Sequence, residues 1–167
     1  MELKLSVSAK GTLLEGKAPA VIQQHTDRFI VNATMFLLAE VKKRTPQGVG
    51  GAKGGLLASI QPDIQGKGTP LVKGIVASAA NHALVVEKGR RPGKGMPPKG
   101  ALLDWLQLKL GLDAKAAQRI EYVVRRKIGQ KGFEGTHMFE KALTENLAKI
   151  QQMAEADGLA MAVELNG

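Results

Sequence analysis

The chain has 167 residues, 44% of them hydrophobic, and no cysteine. Disulfides and thiolate metal sites are therefore excluded, while the apolar content suffices for one core, so a single domain over 1–167 is expected. The net charge is +9 and unevenly spread: residues 1–133 hold 22 Lys and Arg against 9 Asp and Glu, residues 134–167 hold 2 against 6. A basic body with an acidic end points to a polyanionic partner or to opposite poles meeting across subunits. No apolar run reaches the roughly 20 residues of a membrane span, and "MELKLSVSAKGTLLEGK" lacks the apolar core of a secretory signal. The expectation is a soluble protein made in the cytoplasm, with no membrane partner.

In chain order, residues 2–8, "ELKLSVS", alternate with period two and predict a short strand. Residues 18–44 have helical period, with Ile22, Phe29, Ile30, Ala33, Phe36, Leu37 and Val41 on one stripe. Pro19 sits where a first-turn proline is tolerated, and "KKRTP" ends the helix with cations against its dipole. Residues 47–55 hold five Gly in nine positions and predict a flexible loop over 46–55. Three short apolar runs follow at about 56–64, 70–78 and 80–87, which predict a β-meander, with Pro62 placing the first strand at an edge.

A basic loop, 88–99, comes next and is also expected to be flexible. It carries Lys88, Arg90, Arg91, Lys94 and Lys99 and no acid. Pro97 and Pro98 are expected to start a helix over 98–110 that buries Trp105, with Gly111 as its stop. Asp113 is the expected N-cap of a helix over 113–129, with Ala116, Ile120, Val123, Val124 and Ile128 inside and Lys115, Arg119, Arg125, Arg126 and Lys127 on the other face. A last helix is expected over 136–155, and residues 156–167 read as an extra strand or a loose tail.

The sequence offers little for catalysis. His25, His82 and His137 are far apart, and none stands at metal-ligand spacing from another His or a carboxylate cluster. Each reads as a polar or partly buried residue with a local partner. No Gly-x-Ser-x-Gly occurs, and Asp63, Glu87, Asp104, Asp113 and Glu121 are the only acids between 42 and 133. Lys53 and Lys94 are each followed by Gly, so neither "GGAKGG" nor "GRRPGKG" meets the phosphate-loop pattern. The expectation is no enzyme, no cofactor and no metal. Nucleic-acid binding is the stronger alternative: the basic face of helix 113–129 and loop 88–99 suit phosphates, although aromatic residues are only 4% of the chain.

The order of these pieces is distinctive. Thr45, Pro46, Leu56, Ser59 and Ile60 form a "TP…L-x-x-S-I" segment. Ala83, Val86, Glu87 and Gly89 form "A-x-x-V-E-x-G". Pro97, Pro98, Leu102 and Trp105 form "PP…L…W", and Ala117, Ile120, Ile128, Gly132, Phe139 and Ala142 complete the series. Over about 18–150 this resembles the tail-completion, or head–tail joining, proteins of tailed bacteriophages.

The resemblance implies an α+β fold, with a small, mostly antiparallel sheet of about four strands packed against a long N-terminal helix and two to three C-terminal helices. It implies a structural virion protein at the tail–head junction: a tail terminator or neck connector, without catalysis. Its partners would be copies of itself in a ring, a hexamer favoured, together with tail-tube and head-completion or neck proteins, with phage DNA passing through the centre. The candidate contacts to a neighbouring subunit, a ring partner or DNA are Lys42, Lys43, Arg44, Lys53, Lys88, Arg90, Arg91, Lys94 and Lys99, with Pro97, Pro98 and Trp105 as structural residues.

Overall fold

A proline in its first turn and three cations in its last frame the first helix. In the computed structural model, which describes residues 16–46 and 55–166, α1 spans Ala18–Arg44 and ends in Lys42, Lys43 and Arg44. The strand expected over 2–8, residues 47–54 of the glycine-rich loop, and Lys53 with them, lie outside the described residues. The buried face of α1 includes Ala33 and Val41, as expected, but also Val21, His25, Asp27, Thr34 and Leu38, while Ile22 is exposed. The face is turned to seat polar residues that an apolar stripe does not reveal.

The fold is α+β, and the chain gathers into two compact units, to both of which α1 and the first ladder contribute. The core of the unit formed by 37–61 and 76–144 is a cluster of Leu38, Val41, Leu56, Ile60, Met138 and Ala142, flanked by Val76, Ala80, Ala83, Val86 and Phe139. Leu56 and Ile60 are both buried and four residues apart, which is helical spacing. Accordingly the strand expected over 56–64 starts as a short helix, α2 (Gly55–Ser59), and only then becomes β1 (Ile60–Gln65). β1 pairs with β2 (Lys73–Ser78) in a two-stranded ladder; among the described residues one side of β1 is unpaired, which accommodates Pro62.

The third strand of the expected meander is instead a helix, α3 (Ala83–Lys88). Ala83 and Val86, three residues apart, pack on the core, and Leu84 is exposed. The polar groups of this segment explain the departure. The carbonyls of Val86 and Glu87 accept from the backbone N–H groups of Thr136 and His137, at 2.9 and 3.0 Å. The Glu87 carboxylate accepts from the N–H groups of Phe139 and Glu140, both at 3.1 Å, and so caps α6 (Met138–Thr144). This tertiary satisfaction outweighs the β propensity of Val85 and Val86.

Immediately after α3, β3 (Gly89–Arg90) pairs antiparallel with β4 (Phe133–Glu134), in the register Gly89 to Glu134 and Arg90 to Phe133. The four strands among the described residues thus form two separate ladders of two. The two backbones approach closely. Gly89 has φ +75°, and a Cβ there would lie 2.4 Å from the Phe133 carbonyl oxygen. Gly132 has φ +66°, and its Cβ would lie 2.0 Å from the Arg90 carbonyl oxygen. Only glycine fits either position.

Between the two strands of the second ladder the chain makes an excursion through two helices. α4 spans Leu103–Leu110, starting later than the 98 expected. Pro97 and Pro98 lead into turns, in which Ala101 N–H bonds to Pro98 O and Leu103 N–H to Gly100 O, and Gly100 at φ +87° breaks helical continuity. Leu106 is wholly buried, whereas Trp105, expected in the core, is 40% exposed. Gly111 ends α4 in the left-handed region, as expected. α5 spans Ala114–Lys131, and Asp113 caps it by accepting from Ala116 N–H at 2.7 Å. Its inward residues are Ala117, Glu121 and Gly129 rather than Ile120 and Val123, which are exposed. The helix is rotated from the expected stripe because Glu121 has buried bonds to make.

The helix expected over 136–155 divides into α6 and α7 (Leu147–Asn166), and the expected strand or tail over 156–167 belongs to α7. Ala, Met, Leu and Glu dominate 159–165 and favour helix. α7 belongs to the other unit, with the first part of α1 and residues 62–75. There Arg28 donates through Nε and Nη2 to Asp157 Oδ1, at 2.8 and 2.6 Å, so a fork of two hydrogen bonds holds α7 to α1.

Gly132→Ala should lower unfolding free energy by about 2–4 kcal/mol, since the new methyl meets backbone in a strained conformation. Gly158→Ala, within α7 and with nothing near its added Cβ, should raise it by about 0.5–1 kcal/mol. Urea unfolding of both variants measures the contrast.

Candidate functional site

The site grows from the crossing of β3 and β4. Arg90, in β3, turns its guanidinium onto the following loop: Nη2 donates to the carbonyls of Lys94 and Gly95, at 2.7 and 3.1 Å. Gly93 N–H donates to Gly129 O in α5, at 2.9 Å. A Cβ on Gly129 would lie 3.1 Å from Gly95 O, so the loop rests directly on the helix backbone. Arg125 Nε donates to Pro97 O, at 2.7 Å. Finally Glu121, 4% exposed, accepts from Gly100 N–H at 2.7 Å and faces Leu102 N–H at 3.4 Å, at the entry to α4. The segment 90–102 is thus bonded repeatedly to itself and to α5.

This sorts the expected contact residues. Arg90 is committed to the loop's own carbonyls, and its buried Nε has no partner among the described residues. The side chains of Lys88, Arg91, Lys94 and Lys99 are exposed and make no hydrogen bond or ion pair among the described residues. Pro97 offers its carbonyl to Arg125, Pro98 opens the turn into α4, and Trp105 presents part of its ring to solvent. Lys42, Lys43 and Arg44 lie together at the end of α1, on a different element from the loop, and Arg44 pairs with Glu40 one turn back.

Sequence reasoning missed the anchors. Glu87 and Glu121 cap other elements, and Arg125, assigned to the outward basic face, binds Pro97 O. A usable signal existed for Glu121, the only acid between Asp113 and Glu134 in a strongly basic stretch. Its isolation marks a residue kept for an inward partner.

Beyond the loop, large apolar side chains face outward. Trp105, Leu108 and Leu110 on α4, and Ile120, Tyr122 and Val123 on α5, are exposed. In the other unit α7 has no buried residue, and Leu147, Leu159 and Val163 are 56, 71 and 74% exposed.

That unit also holds a polar cluster that local spacing conceals. His25, 2% exposed, lies 3.0 Å by Nε2 from Glu164 Oε2 and 2.8 Å by Nδ1 from Arg28 Nη2. Arginine can only donate, so Nδ1 accepts and Nε2–H donates to Glu164. His25 thus has the expected local partner in Arg28, three residues on, and a second, Glu164, 139 residues away. His137 also pairs locally, with Glu140 at 2.8 Å. Arg28 and Asp157 also border a shallow hollow with Phe29 and Met153. Among the described residues no group of three or more His, Cys, Asp or Glu is placed to hold a metal ion, and no helix is long and apolar enough to cross a membrane.

No family model, no curated protein and no solved structure matches the chain.

Arg90→Ala should cost about 1–2 kcal/mol of stability because it frees two carbonyls, whereas Arg91→Ala should change it by less than about 0.5 kcal/mol. Glu87→Ala should cost about 1–3 kcal/mol by uncapping α6. Chemical denaturation of the three variants separates framework residues from those free to contact a partner.

Proposed function

We propose that this chain is a structural virion protein of a tailed phage or prophage, joining tail to head as a tail-completion protein or neck connector in a ring through which DNA passes. The observation that carries this reading is the surface. A 20-residue helix with none of its residues fully buried, together with outward Trp105, Leu108 and Leu110 on α4 and Val123 on α5, leaves apolar surface for neighbours. The ordered motifs support it further. Val86, Glu87, Gly89 and Gly132, each matched to the phage family's pattern, meet at a single crossing of the backbone. In this reading Arg91, Lys94 and Lys99 are the outward cations of the joint, and Arg90 sets the shape of the loop that carries them.

Disruption of the gene in the phage or prophage that encodes it should yield filled heads beside separate tails under the electron microscope, with joined particles restored by supplying the protein. Abnormally long tails would assign the chain to tail termination. Normal joined particles without it would overturn the reading. The triple variant Arg91→Glu, Lys94→Glu, Lys99→Glu should fold normally and fail to restore joined particles, since none of these side chains supports the fold.

A further inference from the structure

The exposed side of α5 carries a run of hydrogen-bond donors that the other described residues leave unused. Lys115, Arg119, Tyr122, Arg126 and Gln130 are all exposed. They follow one another at intervals of four, three, four and four residues, which align side chains along one helix face. None makes a hydrogen bond or ion pair among the described residues. Each offers an N–H or O–H, and none is a carboxylate. Glu121, the single acid within α5, is buried on the far side with its carboxylate on Gly100 N–H. Asp113, at the start, is occupied by Ala116 N–H. No acid on this face neutralises the positive field.

The basic loop enlarges the same surface. Its anchors on α5, Arg125 and Gly129, fall on the flank beside Tyr122 at about 3.6 residues per turn. Arg91, Lys94 and Lys99 therefore extend the cationic stripe rather than form a separate patch.

We infer that this face of α5, with the loop beside it, binds the phosphate backbone of duplex DNA without reading its sequence. Phosphate oxygens accept hydrogen bonds and carry charge, so they need what the stripe supplies: donors and cations without carboxylates. From Lys115 to Gln130 the helix rises about 22 Å, enough to meet several phosphates of one strand spaced about 3.4 Å along the duplex axis. A protein partner would require an apolar centre with a polar rim; here the centre is polar, and Ile120 and Val123 lie to one side. A single strand would require several rings for stacking, and the stripe has one tyrosine. The inference stands on the charge of this face and not on the joining role, so either can fail alone.

The test is fluorescence anisotropy of the purified protein with a labelled duplex of mixed sequence, over a range of salt concentrations. The expected result is binding that weakens with salt at a log–log slope of about −3 to −4, corresponding to about four phosphates neutralised. The double variant Arg119→Glu, Arg126→Glu should bind at least about tenfold more weakly, with a slope smaller by about 2. Circular dichroism and thermal unfolding should match the parent; if they do not, Arg119→Gln with Arg126→Gln replaces the pair. Absence of binding at low salt, or unchanged affinity and slope in a folded variant, would overturn the inference. Polyglutamate competing as well as unlabelled duplex would also overturn it, by assigning the face to acidic protein.

Discussion

Two stretches of backbone, 86–90 and 132–137, lie so close that side chains are barred from Gly89 and Gly132, and much of the larger unit depends on that contact. It places the carbonyls of Val86 and Glu87 against the N–H groups of Thr136 and His137, forms the β3–β4 ladder, and puts a carboxylate at the start of α6. Met138 and Ala142, presented by α6, are fully buried in the core with Leu38, Val41, Leu56 and Ile60. The same crossing aims Arg90 at the loop and sets that loop on α5. Backbone groups buried at such a contact must be paired or they oppose folding, and here the pairing simultaneously defines a cap, a ladder and a loop.

The other unit depends on a different balance. α7 buries no residue completely, yet Arg28 and His25 of α1 hold it through Asp157 and Glu164. Charge-assisted bonds of this kind fix geometry more than they add stability, because desolvation offsets much of their attraction. They leave the apolar side chains of α7 turned outward. The molecule is thus organised by polar contacts inside each unit and keeps part of its apolar surface for elsewhere.

How much of this was legible in the sequence varies with the range of the interactions. α1, the Asp113 cap of α5 and the Gly111 stop of α4 are set by neighbours within a turn, and their patterns predict them. The sequence of α3 reads as a strand because "NHALVVEK" is short, apolar and β-branched, and its deciding bonds go to residues some fifty positions later. The rotation of α5 has the same origin: Glu121 turns inward to reach Gly100. The cations of the loop were visible from the sequence, but Arg90 could not be told from Arg91. Their difference is one of orientation, and only the carbonyls of Lys94 and Gly95 reveal it.

The β3–β4 pairing also makes the intervening chain a cassette. Residues 91–132 run out from this ladder and return to it, with Arg90 and Phe133 held in register. Closing such an excursion costs entropy that grows only slowly with its length. The cost of carrying a longer or shorter α4–α5 hairpin is therefore small, while the helices on either side of the crossing keep their places. Conservation of the crossing alone would let the outward-facing part of this molecule be exchanged, residue by residue or whole, to suit a different partner.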